Sequence, residues 1–210
     1  MSLNFTPQVM RVLDEIERFG LSHDSGQADH KQKMLNLERP TAELIHVLLL
    51  SSRRRHVLEI GTSNGFSAIV IGATLQSIDG AVPLTTIERD LIKVAGARRN
   101  IEHAKLSFIV QVIQGSATEV VNDLAGPFDC VFFDADRVSA PEQLQILLPK
   151  FEPDVLLLID NVLSHPREVE AYISAVERLP GFVSITAPVG KGLHIAYRQE
   201  QTAKEFRIAG

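Results

Sequence analysis

Two segments of the chain carry an apolar run straight into a carboxylate: Phe132-Phe133-Asp134-Ala135-Asp136-Arg137 and Leu158-Ile159-Asp160-Asn161-Val162. Each run reads as a buried strand with an acid at its C-terminal end. Neighbouring parallel strands lie about 4.8 Å apart, so Asp134 and Asp160 can share a ligand if these two strands pair. Carboxylates that close repel one another, and a bound divalent cation relieves the repulsion. Asn161 adds a neutral oxygen, and two carboxylates with one amide suit a hard ion such as Mg²⁺. No His/Cys cluster offers the softer donors of a dedicated zinc site. The competing explanation is that both aspartates only cap the turns or helices that follow them.

A second constellation lies upstream. Val57-Leu58-Glu59-Ile60-Gly61-Thr62-Ser63-Asn64-Gly65-Phe66-Ser67 reads as buried strand, glycine-bearing turn and helix start. Gly61 and Gly65 let the backbone turn sharply and approach a ligand, and the helix beyond offers free N–H groups. Glu88 closes the next strand, where a carboxylate can accept both ribose hydroxyls of a nucleotide ligand. The full G-x-G-x-x-G dinucleotide pattern is absent, which argues against an NAD site. The same turn spells G-x-S-x-G, and Asp160 and His194 follow Ser63 in the order of a hydrolase triad. A hydrolase elbow, however, follows a central strand with several strands before it. The residues preceding Val57 read as helical and polar, so Ser63 is better taken as a turn residue near a ligand.

The elements that must position these residues follow from periodicity. Val9, Met10, Val12, Leu13, Ile16 and Phe19 recur at helical spacing with Gly20 as a plausible stop, and Ser22 to Lys33 reads as an exposed loop or a poorly packed second helix. Pro40 and Thr41 open the next helix, to about Ser51. Strands are then expected at His56–Ile60, Val82–Ile87, Phe108–Ile113, Asp129–Phe133 and Val155–Ile159, all too apolar for a sheet wetted on either face. Helices between them, at Gly65–Gln76, Asp90–Ala104, Ala117–Leu124, Pro141–Leu148 and Arg167–Arg178, imply a parallel sheet with right-handed crossovers and helices on both faces. Phe182–Thr186 and Leu193–Tyr197 are too close for a crossover. They predict a hairpin around Gly190-Lys191-Gly192, one strand antiparallel to the rest. Seven strands in one mixed sheet make a single domain over 1–210, with 1–52 as an N-terminal helical segment.

Composition narrows the partners. Hydrophobic residues make up 45% of the chain and charged residues 22%, the mixture of a folded globular protein. A net charge of -5 argues against neutralising nucleic-acid phosphates, and the Arg53-Arg54-Arg55 cluster reads as a solvated loop. Cys130, the single cysteine, falls in an apolar run and reads as buried packing. Met1 to Arg11 lacks the apolar core of a signal peptide, and no run approaches the roughly 20 residues that span a bilayer. A cytoplasmic protein with no membrane or nucleic-acid partner is expected.

Taken together, these residues resemble the cation-dependent S-adenosylmethionine (SAM) O-methyltransferases, the group of catechol and caffeoyl-CoA O-methyltransferases. The resemblance covers about Leu35 to Arg198. Its signals are VLEIGTSNGFSA at Val57 to Ala68, TIE at Thr86 to Glu88, QGSA at Gln114 to Ala117, FDCVFFDADR at Phe128 to Arg137 and LLIDNVL at Leu157 to Leu163. The resemblance implies a Rossmann-like, seven-stranded α/β fold, mostly parallel with an antiparallel final strand. It implies that Gly61 and Ser67 lie by the methionine part of SAM, that Gly65 is also cofactor-binding, that Glu88 holds the ribose, and that Gly115, Ser116 and Ala117 border the adenine. Asp134, also close to the methyl donor, is then a metal ligand with Asp160 and Asn161, and Asp134, Arg137, Asp160 and Asn161 form the catalytic group. A small hydroxylated aromatic acceptor, Mg²⁺ and a homodimer are further implications. Arg137 stands where the family usually has a lysine, and a guanidinium is a poor proton acceptor. Ala42 stands where a glycine is common. The acceptor wall is expected from Ser22–Asn36, Val162–Pro166 and Pro188–Gly192, with His165 a candidate proton acceptor.

Overall fold

The computed structural model describes residues 3–28 and 33–199. A helix pair, α1 (Pro7–Gly26) and α2 (Arg39–Ser52), precedes an alternating run. That run is β1 (Val57–Ile60), α3 (Phe66–Leu75), β2 (Leu84–Glu88), α4 (Leu91–His103), β3 (Val110–Gln114), α5 (Ala117–Asp123), β4 (Phe128–Phe133), α6 (Ala140–Leu147), β5 (Phe151–Ile159), α7 (Pro166–Glu177), β6 (Phe182–Ala187) and β7 (Leu193–Arg198). The seven strands form one sheet in the order β3-β2-β1-β4-β5-β7-β6. All pairs from β3 through β5 are parallel, and β7 runs antiparallel to both β5 and β6, as the short connection before it requires.

Helices cover both faces because the central strands are apolar on both. One core joins the sheet to α1, α2, α3 and α4 through Val12, Ile45, Ile69 and Ile101. The other joins it to α5, α6 and α7 through Val121, Leu144 and Tyr172. Helix α3 is buried along its whole length, apolar all round because it lies between the sheet and the α1/α2 pair.

Two local expectations are corrected. Gly20 does not stop α1, which continues to Gly26 and so includes the first part of the expected loop. A Cβ at Gly20 would collide with the Asn36 side chain, whose amide donates to the Ile16 carbonyl at 3.1 Å. Glycine here makes room for a polar strut rather than ending a helix. The rest of the expected loop at 29–32 lies outside the described residues. Second, the arginine cluster is not simply solvated. Arg54 is buried and donates to the Asp129 and Asp154 carbonyls at 3.2 and 3.1 Å and to Asp154 Oδ1 at 2.7 Å, with Tyr197 beneath its guanidinium. It ties β4 and β5 together at the end of the sheet remote from the acids. Cys130 is buried, its thiol pushed far up by burial, as a packing residue should be.

No helix among the described residues is long and apolar enough to cross a membrane.

Candidate functional site

The strand order reverses between β1 and β4, and there the chain leaves the sheet toward opposite faces, opening a crevice at the C-terminal strand ends. A cavity of about 730 Å³ fills this crevice. Gly61, Glu88, Gly115, Ser116 and Ala117 line it on one side. Asp134, Arg137, Asp160 and Asn161 line it on the other. Gly65 and Ser67 stand apart from its wall: Gly65 faces Ala97 of α4, and Ser67 is buried behind the turn, on the Glu59 side.

On the Gly61 side, the turn is held by its own backbone. Gly61 has φ +108, and a Cβ on it would run into the Asp134 carbonyl, so the two chain segments touch without a side chain between them. The Ser63 N–H donates to Glu88 Oε2 and the Asp90 N–H to Oε1, each at 2.9 Å. These two bonds orient the Glu88 carboxylate and leave further acceptor positions for a ligand. Ser63 Oγ donates to the Met34 carbonyl at 2.6 Å, which draws Met34, Leu35 and Asn36 over this half of the cavity. That hydroxyl is engaged with backbone, the arrangement of a turn residue rather than of a nucleophile paired with histidine.

Beneath the turn lies Glu59, fully buried in β1. Burial pushes its carboxyl up to about 7, opposed by hydrogen bonds from Ser67 and Thr86 and assisted by the charge of Glu88. Thr86 Oγ1 donates to Glu59 Oε2 at 2.5 Å and lies 2.6 Å from Thr62 Oγ1. Glu59 was not among the expected site residues. Its sequence signal is a carboxylate inside an otherwise apolar strand.

On the acidic side, β4 and β5 pair with Phe133 opposite Ile159, which brings Asp134 and Asp160 out of the sheet side by side. Asp160 is buried, and its Oδ1 has no partner among the described residues. Burial raises its carboxyl to about 6 against the Asn161 backbone N–H and the charge of Lys191, both of which favour ionisation. Asp134 is raised well above the usual carboxylate range by burial, then by the charges of Asp160 and Glu59. Asn161 takes a left-handed backbone, φ +68, uncommon for a residue with a side chain, and its amide Nδ2 reaches Asp134 Oδ1 at 3.5 Å. The structure therefore brings the three expected residues to one wall of the cavity.

Arg137 neither pairs with Asp136 nor stands free. Its Nε and Nη2 both reach Glu168 Oε2 at 2.9 Å, while Asp136 accepts from the Val138 N–H and Ser139 Oγ. His165 and Lys191 complete this wall, from two of the three segments expected to supply it, whereas Met34 to Asn36 of the third lie by Ser63 on the other half.

A family model described as O-methyltransferase matches residues 13–179. The chain belongs to the O-methyltransferase family. Among its relatives, the catechol O-methyltransferase of Niastella koreensis is 34% identical over 125 residues, 58% of this chain and 55% of that protein. The catechol O-methyltransferase of Mycobacterium tuberculosis is 34% identical over 113 residues, 52% and 49% of the two chains. The matched segments thus span about half the length of these relatives. Among solved structures, the O-methyltransferase from Bacillus cereus in complex with SAH has a TM-score of 0.77 at 22% identity, covering 90% of this chain and 91% of that one. TomG from Streptomyces achromogenes, in complex with SAM, has a TM-score of 0.74 at 22% identity, covering 94% and 92%. At these identities the likeness to solved structures is one of fold.

Proposed function

We propose that the protein transfers the methyl group of SAM, with the help of a divalent cation, to a hydroxyl of a small aromatic acceptor bearing two neighbouring hydroxyls. One observation carries the reading: the buried, unpartnered oxygen of Asp160 stands with Asp134 and Asn161 in the same cavity as the Glu88 carboxylate. Names among the relatives agree with it, as do the family and the SAM and SAH in similarly folded structures.

The donor set fits a hard cation. Two carboxylates whose ionisation is opposed by burial and mutual repulsion, joined by an amide oxygen, suit Mg²⁺ or an ion like it, and Asp134, Asp160 and Asn161 would hold it. Together the bound groups would supply a methyl already activated on a sulfonium and a cationic charge that acidifies and fixes the acceptor hydroxyl. The chain's own residues do the positioning. Glu88 binds the ribose hydroxyls, Gly61 admits the methionine part against bare backbone, and Gly115 to Ala117 border the adenine. Orientation of this kind is worth up to ~7 to 11 kcal/mol in intramolecular attack.

The acceptor's proton needs a base, and Arg137, a guanidinium engaged with Glu168, is unsuited to the task. His165 is prepared for it. Ser164 Oγ donates to the Asn161 carbonyl at 3.1 Å and lies 2.8 Å from His165 Nδ1. Both bonds are made together when Nδ1 carries the proton and donates to Ser164 Oγ, which leaves the Nε2 lone pair to accept a proton.

The test compares wild type, Asp160→Ala and Asn161→Ala, each confirmed as folded, for SAM affinity by calorimetry, Mg²⁺ affinity, and methyl transfer to catechol. The variants should keep most of their SAM affinity while losing Mg²⁺ binding and transfer. Full transfer by the variants in chelator-treated buffer would overturn the cation's role and leave a metal-independent methyltransferase.

A further inference from the structure

We infer that the acceptor is an aromatic acid, its carboxylate held by Lys191 with help from Arg137, an inference that rests on the acceptor-side reading of the cavity given above. On that side, above Asp134 and Asp160 and beside Asp136, the lining carries Arg137, Asn161, His165 and Lys191. Among the described residues it contains no phenylalanine or tyrosine, and the ring it does carry is the His165 imidazole. A small ligand held by polar side chains must contribute polar groups of its own, and the sign of the wall says which.

Arg137 and Lys191 both line the cavity, and the charge of each favours ionisation of Asp134 and Asp160 on its floor. Glu168, which pairs with Arg137, and Glu38, which pairs with Lys191, are not part of the lining. The Lys191–Glu38 contact is long, 4.0 Å, between side chains 39% and 42% exposed, so it ties up little of the ammonium charge. The acids that do reach this half are already committed. Asp134 and Asp160 belong to the floor, and Asp136 is turned toward Val138 and Ser139.

The turn that carries Lys191 is fixed through its backbone. Lys191 sits between Gly190 and Gly192, at φ +56 and +92, in a turn whose backbone is clamped to the loop after β5. The Leu163 and Ser164 N–H groups donate to the Lys191 carbonyl at 2.9 and 3.2 Å, and the Val162 N–H to the Gly192 carbonyl at 3.1 Å. A Cβ at either glycine would collide, with Thr41 and Glu38 at one and with Leu163 at the other. The turn therefore holds one position, beside the loop that carries Asn161 and His165. A ring whose vicinal hydroxyls face Asp160 and Asn161 would then present a substituent to the ammonium.

The experiment uses 3,4-dihydroxybenzoate and uncharged catechol as probes, with SAM and Mg²⁺ present, on wild type, Lys191→Gln and Lys191→Glu. Calorimetry gives the ratio of the two affinities, and initial rates give the ratio of the two KM values. Wild type should favour the acid, Lys191→Gln should lower that preference by about tenfold, the loss of one charge-assisted contact, and Lys191→Glu should lower it further. An unchanged ratio in both variants, equal binding of the two probes by wild type, or binding of neither would overturn the inference. Preferential binding of the acid that depends on Lys191 but leads to no methyl transfer would uphold it while sinking the proposed reaction.

Discussion

Replacing Glu59 with glutamine should make the protein more stable above neutral pH and flatten part of its pH dependence. Glu59 is fully buried in β1, one carboxyl oxygen accepts from Thr86, and the other has no partner among the described residues. Its carboxyl is raised from 4.5 to about 7, chiefly by burial. The folded protein thus holds a proton that the unfolded chain releases, and stability must fall as pH rises through that interval. The contribution is fully present below pH 4.5, declines by about 1.4 kcal/mol per pH unit, and is lost above about 7. A displacement of this size corresponds to about 3 kcal/mol in all.

Glutamine copies the shape of the neutral acid and cannot ionise. Urea denaturation of both proteins at intervals from pH 4.5 to 8 isolates the effect, because the groups they share cancel in the difference. Glu59→Gln should gain on wild type by about 3 kcal/mol across that range, most of it between pH 5 and 7. A stability difference independent of pH would refute the reasoning and mean that Glu59 is ionised throughout. In that case the buried charge must be balanced by a group that the Thr86 and Ser67 bonds do not reveal.

Gly61→Ala should lose 1 to 3 kcal/mol, about the scale of one strained backbone position, and SAM binding should weaken because the new Cβ displaces the Asp134 carbonyl; denaturation and calorimetry read both. His165→Ala should slow methyl transfer by about 10²-fold, the low end for losing a general base, with SAM affinity little changed, and single-turnover rates check it. Arg137→Lys should alter stability by less than about 1 kcal/mol, since its partner Glu168 is half exposed, and thermal denaturation is the measure. Glu88→Ala should weaken SAM binding by roughly 1.5 to 3 kcal/mol, and adding Asp160→Ala should contribute nothing further to that loss, as a double-mutant cycle in SAM affinity would test.

Most of the frame was legible because its strands carry their burial in their composition. Runs such as Cys130 to Phe133 and Leu156 to Ile159 are apolar at every position, which a sheet covered on both faces demands. The acids were legible for the same reason, since a charge that ends such a run has to emerge at the sheet edge. That β4 and β5 are neighbours was not legible, and only their pairing turns two separate aspartates into one site. Arg54 was misread because its partners, Asp129 and Asp154, come from distant parts of the chain, and no local pattern announces them. Gly20 misled because the roughly 1 kcal/mol that glycine costs a helix is outweighed here by a face buried through Val12, Leu13 and Ile16 and by the fit of Asn36. Lys191 could be assigned only to a turn. Its direction depends on hydrogen bonds from Val162, Leu163 and Ser164, which appear once the turn and the loop after β5 are folded together.

The two halves of the proposed site meet at one peptide contact, and that contact sets Asp134 against both. Strands β1 and β4 are paired to their ends, Ile60 opposite Phe133, and the Asp134 N–H donates to the Ile60 carbonyl at 2.8 Å. The next residue on β1 is Gly61, pressed against the Asp134 carbonyl with no room for a side chain. From there the chains diverge, β1 to α3 on one face and β4 to α6 on the other. Asp134 is therefore fixed to the Gly61 side by backbone and set beside Asp160 by the neighbouring strand. Glu88 and Asp160 lie one strand further out in opposite directions, on β2 and after β5, and among the described residues share no hydrogen-bond partner. A ligand held by Glu88 and one held by Asp160 can accordingly be lost one at a time, whereas any change that moves Asp134 must disturb both.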